Sequence, residues 1–173
     1  MISETTEQHR KTRVNNISCG IITLSDSLYE KGSKGIEEDL SGQYIYEKLT
    51  EEYTVEDYVL IPDEKDKLVK ALSAMANNDI DLIITTGGTG LESRDITIET
   101  LMERFDKTIP GFGEEFRRRT AETLKGGALL TRTCAGVYNK TLIFAMPGSP
   151  NAVELGMDII YSEIKHLVKH TRI

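Results

Sequence analysis

Short apolar runs that stop at glycine, proline or small polar residues, alternating with helical stripes, constrain this chain more than any other feature. Ser18 to Leu24 (SCGIITL) is one such run, and it stops at Ser25-Asp26-Ser27. A loop through Gly32 and Gly35 follows, its two glycines favouring mobility. From Ile36 to about Glu51, residues Ile36, Leu40, Tyr44, Ile45 and Leu49 recur at helical spacing. Tyr53 to Ile61 is rich in strand formers and ends at Pro62. Leu68, Val69, Leu72 and Met75 form a second helical stripe that frays at Asn77-Asn78, and Asp81 to Thr86 is a third strand. Strands and helices alternating at these lengths predict parallel strands joined by crossover helices.

The second half is less regular. A short helix is expected from Thr97 to about Arg104, then an interruption at Pro110-Gly111, then a helix from about Gly113 to Leu124. Thr133–Val137 and Thr141–Met146 flank Tyr138-Asn139-Lys140, the pattern of a hairpin with Asn139 in the tight position. A long final helix carries Ala152, Leu155, Gly156, Ile159, Ile160 and Ile164 on one face. The expected fold is α/β: a three-layer α/β/α sandwich with a mostly parallel sheet and one antiparallel hairpin.

A length of 173 residues suits one domain, and scaling allows about 70% of the unfolded surface to be buried without staples. Residues 1–13 read as a disordered tail and 14–173 as a single domain. No apolar run approaches the about 18 residues of a membrane span, and the polar N-terminus lacks the apolar stretch of a secretory signal. The chain is therefore expected to be cytoplasmic. Its net charge of −7 disfavours a nucleic-acid or membrane partner bound through a broad basic surface. An anionic substrate would need a local device to hold it. Cys19 and Cys134 read as buried thiols rather than a disulfide, and two isolated cysteines make no zinc site. His166 and His170, four apart, read as cations closing a helix, since Leu167 stands where a zinc-protease motif needs Glu.

Ligands of open α/β sheets bind beyond the carboxyl ends of the strands. Four such ends carry unusual residues: Ser25-Asp26-Ser27, Pro62-Asp63-Glu64, Gly87-Gly88-Thr89-Gly90 and Pro147-Gly148-Ser149-Pro150. The glycine segment reads either as a tight turn or as a nest of N–H groups for an anion. Ser93 rules out a dinucleotide fingerprint, and no Gly-Lys-Ser/Thr of a P-loop occurs. Ser149-Pro150 is an N-cap with Pro at N1, and a helix start of this kind also attracts phosphate. Asp63 and Asp95 read either as helix caps or, together, as a carboxylate pair able to hold Mg²⁺ against phosphoryl oxygens. Arg94, Lys31 and Lys34 are either solvated cations or neutralisers of phosphate charge.

Leu82-Ile83-Ile84-Thr85-Thr86-Gly87-Gly88-Thr89-Gly90, Ser93-Arg94-Asp95-Ile96-Thr97, Pro110-Gly111-Phe112-Gly113-Glu114 and Pro147-Gly148-Ser149-Pro150, in that order, resemble the MoaB/Mog family of molybdenum-cofactor biosynthesis. The match runs from about Ile17 to His166, and Asn139 to Met146 places it nearer the MoaB branch. The resemblance implies a molybdopterin adenylyltransferase that moves AMP from Mg-ATP to the terminal phosphate of molybdopterin, with ATP as co-substrate and Mg²⁺ as cofactor. It puts the catalytic and metal-holding carboxylates at Asp63 and Asp95. It implies substrate and nucleotide contacts at Ser25, Asp26, Gly87, Gly88, Thr89, Gly90, Arg94, Pro147, Gly148 and Ser149. It also implies a homotrimer or hexamer and a downstream partner that inserts molybdate. Some MoaB-branch proteins lack the first carboxylate, whereas this chain keeps Ile61-Pro62-Asp63. Two other functions remain open at this point: a non-catalytic molybdopterin carrier, and a nucleotide hydrolase related to the competence-damage family.

Overall fold

The computed structural model describes residues 16–32 and 35–172. The expected tail (1–13), with His9, and the loop lysine Lys34 lie outside the described residues. Six strands form one sheet in the order β2-β1-β3-β6-β5-β4. They are β1 (Ser18–Leu24), β2 (Thr54–Ile61), β3 (Leu82–Thr86), β4 (Lys107–Thr108), β5 (Cys134–Tyr138) and β6 (Thr141–Met146). β2, β1, β3 and β6 are mutually parallel, and β5 is antiparallel to both β6 and β4. The expected hairpin is present, with Asn139 and Lys140 both at positive φ (48° and 67°), as a two-residue turn between right-twisted strands requires. The two-residue β4 had no signature in the sequence.

Alternate side chains along the strands serve two cores. Cys19, Ile21, Leu82, Ile84, Leu142 and Phe144 join one, while Ile22, Leu24, Ile83, Ile143 and Ala145 join the other. The first core is covered by α2 (Leu40–Thr50), α5 (Pro110–Leu124), α6 (Pro150–Ile160) and α7 (Ile164–Thr171), and the second by α3 (Lys65–Asn77) and α4 (Thr97–Met102). The result is the expected three-layer sandwich.

Local readings fail where a tertiary contact decides. The loop after β1 contains a short helix, α1 (Asp26–Glu30), whose N-cap Ser25 accepts a hydrogen bond from the Leu28 N–H at 3.2 Å. The helix expected from Ile36 is a 3₁₀ turn (Ile36–Glu38) followed by α2. The break falls at the buried Asp39, which caps α2 through Gly42 N–H (2.9 Å) and accepts from Thr23 Oγ1 (2.5 Å) and the Tyr58 hydroxyl (3.0 Å). Pro110 starts α5 instead of interrupting the chain, the position where its missing N–H costs nothing. The long final helix is divided by a 3₁₀ turn at Tyr161–Glu163, where the Tyr161 ring leans on Tyr53 and lies under Lys48 Nζ. Its apolar stripe nonetheless keeps one face, from Val153 through Ile164 to Val168.

Candidate active site

Strand order reverses between β1 and β3, so the loops after these strands leave a crevice at the sheet's carboxyl edge. The loop after β3 enters it as Gly87-Gly88, with φ values of 93° and 62°. A Cβ on Gly87 would stand 2.1 Å from the Leu24 carbonyl oxygen, so only glycine fits there. Thr97, fully buried, ties the turn down: its Oγ1 donates to the Gly87 carbonyl and its N–H to the Gly88 carbonyl, both at 2.9 Å. Arg132 Nη1 holds the Gly90 carbonyl at 2.8 Å, and Nη2 of the same side chain pairs with Glu99. The Gly87 N–H is engaged as well, donating to the Met146 carbonyl at 3.2 Å. Among the described residues, the N–H groups of Gly88, Thr89 and Gly90 have no hydrogen-bond partner within the chain, the condition for an anion nest.

Those residues line a cavity of about 840 Å³ together with Asp95, Pro147, Gly148 and Ser149. Ser149 caps α6, accepting from Ala152 N–H at 3.4 Å, so the start of that helix faces the same space. The opposite wall comes from α5 and the 3₁₀ segment after it, through Phe116, Arg119, Thr120, Thr123 and Leu130. None of this wall was legible as a site. Arg119 sits in the run Arg117-Arg118-Arg119, and its Nε pairs with Glu115 (2.7 Å), one turn back, as on any solvated helix. Only the packing of α5 beside the glycine loop brings Arg119 to the cavity.

Asp63 and Asp95 meet the same loop two residues apart. Asp63 Oδ1 lies 2.5 Å from where a Cβ on Gly88 would be, and Asp95 Oδ2 is 2.5 Å from that position on Gly90. Neither carboxylate is a helix cap. The N-cap residues of α3 and α4 are Glu64 and Ile96, without side-chain cap bonds. Asp95 Oδ2 instead accepts from Glu92 N–H at 2.8 Å, and Asp63 Oδ2 accepts from Asp26 N–H at 3.0 Å. Asp63 Oδ1 is buried with no partner. Burial raises the Asp63 pKa above the ordinary carboxylate value, the Asp26 N–H opposes this, and the charges of Asp26 and Asp95 add to it.

Asp95 lines the cavity, whereas Asp63, Ser25, Asp26 and Arg94 are not part of its wall. Arg94 is no free cation, because its Nε and Nη2 grip the two oxygens of Asp26 at 2.8 Å each. Lys31 is exposed on the loop after α1. Among the described residues, no three His, Cys, Asp or Glu side chains cluster to hold a metal by themselves. Two carboxylates with an oxygen to spare instead suit a cation such as Mg²⁺, which is usually held by one or two carboxylates together with substrate phosphates.

The family model described as "Probable molybdopterin binding domain" matches residues 20–166. The chain belongs to this family. A molybdopterin adenylyltransferase of Pyrococcus furiosus is 40% identical over 96% of this chain and 98% of its own length. The molybdenum cofactor biosynthesis protein B of Bacillus subtilis is 34% identical over 96% of each. The crystal structure of the tungsten cofactor synthesizing protein MoaB from Pyrococcus furiosus superposes with a TM-score of 0.83 at 39% identity, covering 91% of this chain and 98% of that one. The protein CinA of Thermoplasma acidophilum, 17% identical with a TM-score of 0.62 over 87% of this chain and 99% of its own, shares the fold alone. Among the described residues, no helix is long and apolar enough to cross a membrane.

Proposed function

We propose that this chain is a molybdopterin adenylyltransferase acting in molybdenum cofactor biosynthesis, with residues 14–173 as its single working unit. The reading rests on its family and on close relatives bearing that name. The observation that carries it to a mechanism is the pair Asp63 and Asp95. They stand against Gly88 and Gly90 of one loop, two residues whose amides are free for phosphate.

An oxygen of the terminal phosphate of molybdopterin forms a bond to the α-phosphorus of ATP. The bridging P–O bond between the α- and β-phosphates breaks, and pyrophosphate leaves. That phosphate is anionic at neutral pH, so the protein needs no general base; its work is to bring anions together and hold them in line. The N–H groups of Gly88 to Gly90 and the start of α6 at Ser149 bind phosphate oxygens. Asp63 and Asp95 would hold Mg²⁺, which when bound supplies neutralisation of charge on the phosphates. This resolves the tension set by a net charge of −7: the anion is gripped by amides, and two of the acidic residues hold the cation it needs.

The exposed Leu124 and Leu130 of the cavity lining, with the exposed Leu129 beside them in sequence, suit a homotrimer or hexamer in which another copy covers them. A cytoplasmic location and a downstream partner that adds the metal oxyanion complete the reading. Asp63→Asn and Asp95→Asn are each expected to lose adenylyl transfer while still binding molybdopterin in a titration. Full turnover in both variants would reject the assignment.

A further inference from the structure

We propose that Asp26 and Arg94 are positioning residues for Asp63, acting as a chain in which Arg94 fixes Asp26 and Asp26 fixes the Asp63 carboxylate. The proposal rests on Asp63 being the cation-holding carboxylate of the reading above. Three loops from three different elements meet here. Asp26 opens α1 after β1, Asp63 follows β2, and Arg94 lies between β3 and α4. Asp26 N–H donates to Asp63 Oδ2 at 3.0 Å, and Asp63 N–H donates to Asp26 Oδ1 at 2.9 Å. These two bonds close a ring that joins the first two loops. Arg94 then clamps Asp26 in a fork, Nη2 to Oδ1 and Nε to Oδ2, each 2.8 Å.

The division of acceptors gives the arrangement its meaning. Both Asp26 oxygens are occupied, Oδ1 twice, so Asp26 is poorly placed to hold a cation itself. Asp63 has one oxygen engaged and one, Oδ1, buried and unpartnered beside Gly88. A bond to Oδ2 fixes the rotation of the carboxylate and so determines which atom is offered. Arg94 and Asp26 are 55% and 32% exposed, and pairs this open add little to stability. Stability therefore gives little reason for a two-pronged clamp, whereas orientation of a ligand atom does: partners behind a metal ligand typically set affinity or activity by about 10–100-fold.

The test is a double-mutant cycle read by Mn²⁺ binding in the presence of ATP (electron paramagnetic resonance) and by pyrophosphate release. Arg94→Ala and Asp26→Asn should each weaken Mn²⁺ binding and lower kcat by about tenfold or more, with KM for molybdopterin and the melting temperature unchanged. In an Asp63→Asn background, Arg94→Ala should weaken Mn²⁺ binding no further. The same loss in both backgrounds would mean that Arg94 contacts the phosphates directly, and the proposal would fall. Arg94→Lys, which keeps the charge but not the fork, should recover only part of the loss; complete recovery would overturn the positioning role. A wild-type protein that binds Mn²⁺ through Asp63 yet releases no pyrophosphate would overturn the proposed function while leaving this chain of contacts supported. Mn²⁺ binding unaffected by Arg94→Ala and Asp26→Asn would do the reverse.

Discussion

Gly87 and Gly88 are adjacent, both at positive φ, and substitution by alanine should separate the loop's structural duty from its chemical one. At Gly87 the new methyl would meet the backbone carbonyl of Leu24 at 2.1 Å, an atom fixed in the β1 end of the sheet. The positive φ costs ~1–2 kcal/mol and forced overpacking ~1–3 kcal/mol. Taken together, about 2–5 kcal/mol corresponds to a fall in Tm of roughly 4–20 °C for a chain of this size. At Gly88 the methyl would meet side chains instead, Asp63 Oδ1 at 2.5 Å and Thr97 Oγ1 at 2.6 Å. Asp63 can swing away, but Thr97 Oγ1 is buried and bonded to the Gly87 carbonyl. The stability cost should therefore exceed the ~1–2 kcal/mol of the backbone conformation while staying below that at Gly87, where a main-chain atom must move. The Asp63 carboxylate would then be displaced by an ångström or more, which can lower kcat by about 100-fold. Gly111, in the open first turn of α5 with nothing within 4 Å of an added Cβ, is the control, and Gly111→Ala should change neither quantity for the worse. Thermal melts and pyrophosphate release on the three variants measure both effects. Gly88→Ala with wild-type turnover, or Gly87→Ala as stable as Gly88→Ala, would refute the reasoning.

Three further outcomes follow from particular residues. Asp63 has its pKa raised by burial, so its charged form opposes folding above that raised value and the penalty vanishes below the ordinary aspartate value of 3.8. Metal-free Asp63→Asn should therefore melt above wild type at pH 7, with the gain disappearing as the pH falls below about 4; a constant difference across pH would contradict this. Arg172 grips Asp81 through two bonds, at 2.9 and 2.6 Å, with side chains only 14% and 12% exposed. Arg172→Ala leaves that carboxylate poorly paired and should cost about 3 kcal/mol without altering turnover, because Asp81 sits at the opposite end of β3 from the glycine loop. Burial pushes the Cys134 thiol up to about 12 and raises Cys19 as well. Both should resist iodoacetamide in the native protein and react only in denaturant, as mass spectrometry would record.

Periodicity was sufficient for elements whose side chains report their own surroundings. Ile21, Ile22, Ile83 and Ile84 belong to fully apolar runs and form the buried parallel strands, and Asn139 marks its turn by its own conformational tolerance. Side chains committed to distant partners gave no local signal. Asp39 looks like one more acid in an acidic segment until Thr23 and Tyr58 are seen to bond it. Arg119 looks solvated until α5 is placed beside the glycine loop. Arg94 illustrates the converse: its residue type suggested a free charge near phosphate, but Asp26, 68 residues away in sequence, occupies its fork. Asp63 was legible as a candidate because it follows a strand end, and Asp95 because it stands just before a helix, a few residues past the glycine loop. Which of their oxygens is free depends on hydrogen bonds that only the fold supplies.

The central claim, AMP transfer onto molybdopterin, is tested most directly with ATP labelled at the α-phosphorus, Mg²⁺ and molybdopterin. The account predicts label in the pterin product, one equivalent for each pyrophosphate released, and none in the Asp63→Asn and Asp95→Asn reactions. Label remaining in ATP while molybdopterin stays bound would identify a carrier, and label appearing as free AMP without pterin a hydrolase; either result would contradict the account.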